Sequence, residues 1–143
     1  MASGLYAATF QDVLDTTQLA LNLELETHRV ALYTSSRNPN YGQDTGYSST
    51  NEIVGTGYTA GGEVLTGTSL SITGTVLTWD ADNTEWQNTT LSGVRHADIY
   101  ADALTGDNLI VGIDFGQDYN TSDGTLLIVW HADGIFAIDM SPA

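Results

Sequence analysis

Residues 108–138 read NLIVGIDFGQDYNTSDGTLLIVWHADGIFAI and contain three short runs that are rich in branched and aromatic residues. These runs, at 108–115, 125–130 and 135–138, are separated by clusters of Asp, Asn, Ser and Gly, which favour turns. No helical periodicity separates one run from the next. We therefore expect antiparallel strands joined by turns over this part of the chain.

The same pattern extends upstream, with a turn signal about every 10 to 15 residues. Further strands are predicted at 29–34, around Leu70 and Ile72, at 75–79, around Trp86 and at 91–100. Leucines at every second position of 19–25 predict one more strand, followed by a tight turn at Glu26-Thr27. A turn is also expected at residues 80–83. No internal repeat is present, which argues against a propeller or a solenoid.

One N-terminal segment has the spacing of a helix. Phe10, Val13 and Leu14 stand at positions i, i+3 and i+4, with Thr9 as a candidate N-cap. We predict a short helix over residues 9–17. The expected fold is therefore all-β, an antiparallel β-sandwich with jelly-roll character plus this helix. At 143 residues and 15.3 kDa, the chain has the length of a single domain, 1–143.

The charge of the chain excludes several partners. Eighteen acidic residues face three arginines and no lysine, which gives a net charge of −15. Three arginines are too few to form the basic surface that binds nucleic acid. Binding to anionic membranes is disfavoured for the same reason. No apolar run reaches the roughly 20 residues that span a bilayer, and no leader peptide is expected. Copies that associate must therefore use apolar or hydrogen-bonding patches, or associate in salt that screens the charge.

Residues 35–62 form a long polar stretch with glycines and regularly placed tyrosines. No phosphate-binding motif accompanies the glycines, so they indicate an ordered loop. A polar loop of this length in a small domain is usually functional. Arg37, Tyr41, Tyr47 and Tyr58 are candidate interface residues, because tyrosine and arginine are enriched at interfaces. The tyrosines could equally pack on the core of their own domain.

No candidate for catalysis stands out. The three histidines, His28, His96 and His131, lack the spacing of a metal site, and neither a cysteine nor a GxSxG motif is present. The segment DADNTE at residues 80–85 resembles half of a calcium loop, but Asp and Asn also make ordinary turns. The same two interpretations apply to residues 117–124. We predict no catalytic residue, no metal and no cofactor.

Several segments, taken in order, resemble a family of small virion proteins of tailed phages, usually called virion structural or head decoration proteins. The segments are VALYTSS (30–36), YSSTNEIVGTGYTAGG (47–62), W-x-N-T (86–89), A-x-I-Y (97–100), DFG (114–116) and G-x-L-x-I-x-W…GIF (124–136). The likeness spans roughly residues 5–139, and its most specific part is STNEIVGTGYTAGG. It differs in the acidity of this chain and in the LALNLEL stretch. The resemblance implies a structural role and no catalytic residues.

We therefore expect a non-enzymatic capsid decoration protein on the virion surface. The expected partners are the major capsid protein and other copies of this chain, which would form homotrimers at local symmetry axes. A component of the tail tube or tail tip is an alternative with the same features. A carbohydrate-binding module is a second alternative, in which Trp79, Trp86 and Trp130 would stack on sugar rings.

Overall fold

A computed structural model describes residues 2–142, and they are mostly β with one short helix. The helix is α1 (Ala7–Leu14). The strands are β1 (Gly4–Leu5), β2 (His28–Tyr33), β3 (Glu63–Leu65), β4 (Ser69–Thr73), β5 (Val76–Asp80), β6 (Thr84–Thr89), β7 (Val94–Tyr100), β8 (Leu109–Tyr119), β9 (Gly124–Ile128) and β10 (Phe136–Asp139). The all-β prediction is confirmed.

The strands form three antiparallel sheets. The largest has five strands in the order β1-β8-β7-β2-β3, and smaller sheets have the orders β10-β5-β4 and β6-β9. In the large sheet Val30 is opposite Ile99, which is in turn opposite Val111. Because side chains alternate across a strand, these three residues lie on one face of the sheet.

That face meets the main hydrophobic core, which contains residues of all three sheets. Val30 and Ile99 come from the large sheet, Trp79 from the three-stranded sheet, and Trp86 and Ile128 from the two-stranded sheet. Both tryptophans are buried. Burying a large apolar side chain contributes about 1.5–3 kcal/mol, so the aromatic residues are main contributors to this core.

The opposite face of the large sheet is also covered. Ala31, Tyr33 and Tyr100 on this face form a second buried cluster with Tyr6 and Leu109. Tyr41 and Tyr47, both from the segment between β2 and β3, pack against the cluster. We refer to residues 34–62 as the covering loop. Its bounds agree with the loop predicted at 35–62.

Helix α1 differs in position from the predicted helix 9–17. It begins at Ala7 and ends at Leu14, and no side-chain hydrogen bond caps its N-terminus. Thr9 lies inside the helix and is buried, so it is not the N-cap. The chain enters the helix at Tyr6, whose side chain is buried in the second cluster. Leu14 is 84% exposed and does not join the apolar face on which its spacing placed it.

The strand predicted at 19–25 is absent, which corrects that expectation. Residues 19–23 do alternate between partly buried and exposed side chains, and Leu21 and Leu23 contact the core. No described strand pairs with them, however, so the segment is extended without being part of a sheet. The turn follows at once, where the Asn22 side chain accepts hydrogen bonds from the backbone N–H groups of Glu24 and Leu25. It therefore lies ahead of the predicted Glu26-Thr27 turn.

A glycine ends the covering loop where it approaches β2. Gly62 has φ +83°, and a Cβ atom there would lie 1.8 Å from the carbonyl oxygen of Val30. Only glycine fits both the left-handed backbone and this close approach. Further along the chain, β8 extends to Tyr119, beyond the run predicted at 108–115, so the DFG segment lies inside a strand.

Candidate functional site

The covering loop is fixed to the large sheet by Arg37. Its Nε donates to Asp98 Oδ2 at 3.0 Å, and a terminal nitrogen donates to Tyr6 Oη at 3.0 Å. A second terminal nitrogen lies 3.4 Å from the Asp44 carboxylate. The guanidinium carbon also stands 5.4 Å from the centre of the Tyr33 ring, within the range of a cation–π contact. Arg37 thus connects the loop, the sheet and the residue before α1.

Asp98 is the acceptor at the centre of this network. It lies on β7, on the face that the loop covers, and it is fully buried. Its Oδ1 accepts a hydrogen bond from Tyr6 Oη at 2.6 Å and lies 2.8 Å from His96 Nε2. Burial and the Asp98 carboxylate raise the pKa of Tyr6 far above its usual value. Burial opposes the charge of Arg37, yet the neighbouring Asp98 gives it a net raised pKa. Arg37 is therefore charged at neutral pH.

Tyr41 packs beside this network. Its ring centre is 4.8 Å from that of Tyr6, and its hydroxyl donates to the carbonyl oxygen of Ala2. Two glycines that are paired across β1 and β8, Gly4 and Gly112, leave the space that the ring occupies. A Cβ at Gly112 would lie 2.7 Å from the Tyr41 hydroxyl oxygen. Burial raises the pKa of Tyr41 to about 12.

A second anchor of the loop is Glu52, whose carboxylate is nearly buried. It accepts hydrogen bonds from the hydroxyls of Tyr47 and Tyr58, both at 2.5 Å, and from the backbone N–H of Gly61 at 2.7 Å. The Tyr58 hydroxyl in turn accepts from the backbone N–H of Leu32 at 3.0 Å. All four loop residues belong to the resembling segment 47–62, and Glu52, Tyr58 and Gly61 lie in its most specific part, residues 49–62.

The four candidate interface residues thus make contacts within their own domain. The polar atoms of Arg37, Tyr41, Tyr47 and Tyr58 all bond to residues of the chain, and Tyr47 also stacks on Tyr100 with ring centres 4.6 Å apart. Each of the four remains partly exposed. Their role at an interface with a partner stays a prediction. The most exposed large apolar side chain of the loop is Val54, at 95%.

The structure separates the three histidines. His28 is buried on the core face of β2, where its ring packs against Trp79, whereas His96 is buried on the opposite face beside Asp98. His131 is exposed after β9. No group of three or more His, Asp or Glu within residues 2–142 is arranged to hold a metal ion.

Side chains of the two acidic segments, 80–85 and 117–124, make contacts within the chain. Asp80 Oδ1 accepts from the backbone N–H of Ala81, as expected of a turn. In the segment 117–124, Asp118 lies 3.4 Å from Arg95, and the Asn120 side chain accepts from the backbone N–H of Gly93. The contact of Asp80 corresponds to the turn interpretation, whereas Asp118 lies in β8, and its contact and that of Asn120 join this segment to the start of β7.

The tryptophans do not form one surface. Trp79 and Trp86 are buried in the core, and Trp79 Nε1 donates to the carbonyl oxygen of Leu23. Trp130 is partly exposed, with its Nε1 bonded to the carbonyl oxygen of Asp82. Two of the three rings of the sugar-stacking alternative are therefore inaccessible to a ligand.

An apolar groove of about 380 Å³ was not foreseen from the sequence. It lies beside β9, between that strand and the second half of β8. Its principal apolar lining residues are Ile113, Phe115, Leu126, Leu127, Trp130 and Ile135. The signal that could have indicated it is the uncharged run TLLIVW at residues 125–130.

Within residues 2–142, no helix combines the length and the apolar character that crossing a bilayer requires. Comparison with protein-family models, with curated proteins and with solved structures finds no match to this chain.

Proposed function

We propose that this chain is a virion structural protein of a tailed virus, a decoration protein that binds the outside of the major capsid shell. The resemblance across residues 5–139 supports this role. So does the way in which the resembling segments are used: VALYTSS contains most of β2 and A-x-I-Y lies in β7, the two neighbouring strands at the centre of the large sheet. The role is structural, with no chemistry assigned to it.

The observation that carries this proposal is the placement of Val54. This side chain is 95% exposed, although it follows directly on the buried residues Glu52 and Ile53. Glu52 is held by two tyrosine hydroxyls and a backbone N–H, and the backbone N–H of Ile53 donates to the carbonyl oxygen of Leu32. An apolar side chain is thus presented to solvent from an anchored backbone. A side chain held in this way loses little conformational entropy when it packs against a partner surface.

The charge of the chain is compatible with this mode of attachment. With −15 per copy, contacts between copies or with an acidic shell are opposed by repulsion across exposed surfaces. Apolar contacts at a site such as Val54 supply an attraction that salt does not screen. We propose that copies assemble as trimers at local symmetry axes of the shell through such contacts.

We also propose that the fold is a β-sandwich with jelly-roll character. The large sheet would form one layer, and the sheets β10-β5-β4 and β6-β9 would share the other. Support comes from the core, in which Val30 and Ile99 of the large sheet cluster with Trp79 and Trp86 of the smaller sheets. Inner faces that share one core are the arrangement expected of a sandwich.

The attachment test compares two substitutions that each add a carboxylate to an exposed apolar site. Val54→Asp is expected to lower binding to undecorated shells of the virus that encodes this chain, by about tenfold or more, because a buried unpaired charge is costly. Ile72→Asp, at a side chain that is 74% exposed on β4, is the matched control and should bind as the unaltered chain does. Equal binding by the two variants would argue against Val54 as the contact.

Gold-labelled antibody on intact virions distinguishes the head from the tail. Label over the capsid supports the decoration role, and label confined to the tail supports the alternative of a tube or tip component. The neighbouring genes give an independent answer: portal, protease and major capsid genes accompany head proteins, whereas tape-measure and tube genes accompany tail proteins. Absence of label from the whole particle would refute both roles.

A further inference from the structure

Residues 20–26, ALNLELE, lie between α1 and β2 and belong to none of the described strands. We call this segment the strap. Backbone hydrogen bonds hold the chain at both of its ends: Leu19 N–H donates to the carbonyl oxygen of Asp12, and Ala103 N–H donates to that of Thr27. Between these points, the hydrogen-bonded N–H groups of the strap use local acceptors, most of them on the strap itself. The strap is therefore held at its ends and has no sheet bonds along its length.

Two side-chain hydrogen bonds hold the middle of the strap against the domain. Trp79 Nε1 donates to the carbonyl oxygen of Leu23 at 2.8 Å, and Thr68 Oγ1 donates to that of Glu24 at 2.8 Å. Leu21 and Leu23 pack against the core but are only partly buried, whereas Trp79 beneath them is fully buried. Segments with so few buried contacts open at a lower free energy than the whole domain unfolds. The strap can therefore detach while the sheets stay intact.

A buried histidine lies at the base of the strap. His28 is fully buried, and neither nitrogen of its ring has a hydrogen-bond partner among the described residues. The nearest carboxylate oxygen, Glu26 Oε1, is 3.5 Å from Nε2 and already accepts from the backbone N–H of Asn22. A protonated imidazole has two N–H donors, so at least one of them would be buried without an acceptor. A charge on His28 is therefore unfavourable while the strap is closed.

The other surroundings of His28 offer no compensation for a charge. On β5 its ring faces Trp79, with ring centres 5.4 Å apart, and on β3 it is opposite the buried Leu65. Among the described residues, Glu26 is the charged group that acts on this imidazole. Burial outweighs that carboxylate and lowers the pKa of His28. Water reaches the ring only when the segment above it moves away, so opening of the strap relieves the cost of protonation.

We propose that the strap is an acid-operated switch: protonation of His28 detaches residues 20–26 and uncovers Trp79, while the three sheets stay folded. In the open state the imidazolium is hydrated, and Leu21 and Leu23 are free to contact another surface. The proton comes from solvent, and no covalent bond changes. Histidine is the side chain that titrates between pH 5 and 8, and its protonation operates many conformational switches. This inference concerns the chain itself and does not depend on the proposed function.

Hydrogen exchange followed by NMR tests the switch, because the indole N–H of Trp79 is bonded to the strap. Its protection is the intrinsic exchange rate at each pH divided by the observed rate. Below about pH 6.5 this protection should fall by up to about tenfold per pH unit, since the open state binds the proton more readily. At every pH it should stay at least about tenfold below that of the Ile99 amide in the large sheet. Low urea should accelerate exchange at Ile99 and not at Trp79, because local opening exposes little surface.

Two pairs of variants assign the effect. His28→Leu should remove the pH dependence of the Trp79 protection, whereas His131→Leu, at a side chain 76% exposed, should retain it. Thr68→Val removes one bond to the strap and should increase exchange at pH 7 by about two- to tenfold. Thr73→Val, at an exposed hydroxyl on β4, is the matched control and should leave exchange unchanged.

The pH series of the unaltered chain decides the proposal even where a variant fails to fold. Protection of Trp79 that does not change between pH 7 and pH 5 would overturn it. Protection and urea dependence equal to those of Ile99 would also overturn it, because the strap would then open only when the whole domain unfolds.

Discussion

Arg37 Nε lies 3.0 Å from Asp98 Oδ2, across 61 positions of sequence, and the carboxylate it contacts is fully buried. This contact joins the covering loop to the centre of the large sheet. The side chains of Tyr6, the residue before α1, and of His96 in β7 bond to the same carboxylate. The loop is therefore a structural layer of the domain.

Arg37→Met should destabilise the domain strongly. Removing one member of a buried ion pair leaves an uncompensated charge, which typically costs about 3–5 kcal/mol of the free energy of unfolding. The matched control is Arg29→Met, because Arg29 Nε also lies 3.0 Å from a carboxylate, but Arg29 and Asp102 are 35% and 36% exposed. That pair should contribute less than about 1 kcal/mol. Equal losses in urea unfolding would contradict the central role of Arg37.

Tyr58→Phe should lower the stability by about 1–3 kcal/mol, because it removes one of the three hydrogen bonds to Glu52 and leaves the backbone N–H of Leu32 without its hydroxyl acceptor. Tyr119→Phe is the control, since the Tyr119 side chain is 42% exposed. Thermal unfolding followed by circular dichroism compares the two variants. If both variants have the melting temperature of the unaltered chain, the Glu52 anchor does not stabilise the loop.

Mild acid should destabilise the domain through His28. Burial lowers the pKa of this imidazole in the folded state, and the Glu26 carboxylate, 3.5 Å away, offsets only part of the effect. The unfolded chain, with an ordinary histidine pKa of 6.5, therefore binds a proton more readily than the folded chain. Stability should fall as the pH drops below about 6.5, by at most about 1.4 kcal/mol per pH unit for this one group.

Urea unfolding at several pH values measures this effect. His28→Leu should flatten the pH dependence below pH 6.5, whereas His131→Leu, at an exposed position, should keep it. A His28→Leu slope equal to that of the unaltered chain would assign the acid sensitivity to other groups.

Alkali should unfold the domain through its tyrosines. Burial raises the pKa of six of the seven tyrosines: Tyr6, Tyr33, Tyr41, Tyr47, Tyr58 and Tyr100. Their unfolded-state pKa is 10.0, so the stability they contribute is present below pH 10 and is lost as the pH rises above it. Tyrosinate absorbance should therefore rise together with the loss of circular dichroism. Ionisation of these residues in a chain that keeps its native spectrum would contradict this expectation.

Trp86→Ala should cost about 3–5 kcal/mol, because the ring is buried in the core and lies parallel to Tyr58 with ring centres 6.2 Å apart. Trp130→Ala, at the partly exposed groove, should cost clearly less. Chemical unfolding of the two variants makes the comparison. A Trp86→Ala chain with unchanged stability would restore this ring as a candidate surface for sugar.

Local patterns predicted the parts of the fold that depend on local chemistry. The covering loop was located within one residue of its start because its polar composition differs from that of its neighbours. The prediction of a strand at 19–25 was wrong, because alternation indicates only an extended segment. A strand also needs a neighbouring strand to pair with, and none of the described strands pairs with this segment. No local pattern identifies that edge.

Long-range pairing explains what the sequence did not reveal about the site. Tyr47 and Tyr58 were found as aromatic residues on a polar loop, but their shared acceptor, Glu52, was not found. Arg37 was found without Asp98, which is one of eighteen acids and carries no distinguishing local signal. The groove beside β9 depends on how β8 passes that strand, which composition does not record.

The positions of the three arginines also determine where trypsin can cut the folded chain. Trypsin cuts after lysine and arginine; this chain has no lysine, and Arg29 and Arg95 lie inside the hydrogen-bonded strands β2 and β7. The bond after Arg37 is the one tryptic bond within a loop, and Arg37 is itself bound to Asp98. Cleavage there requires the covering loop to detach from the sheet. The rate of a single tryptic cut therefore measures how often this layer of the domain opens.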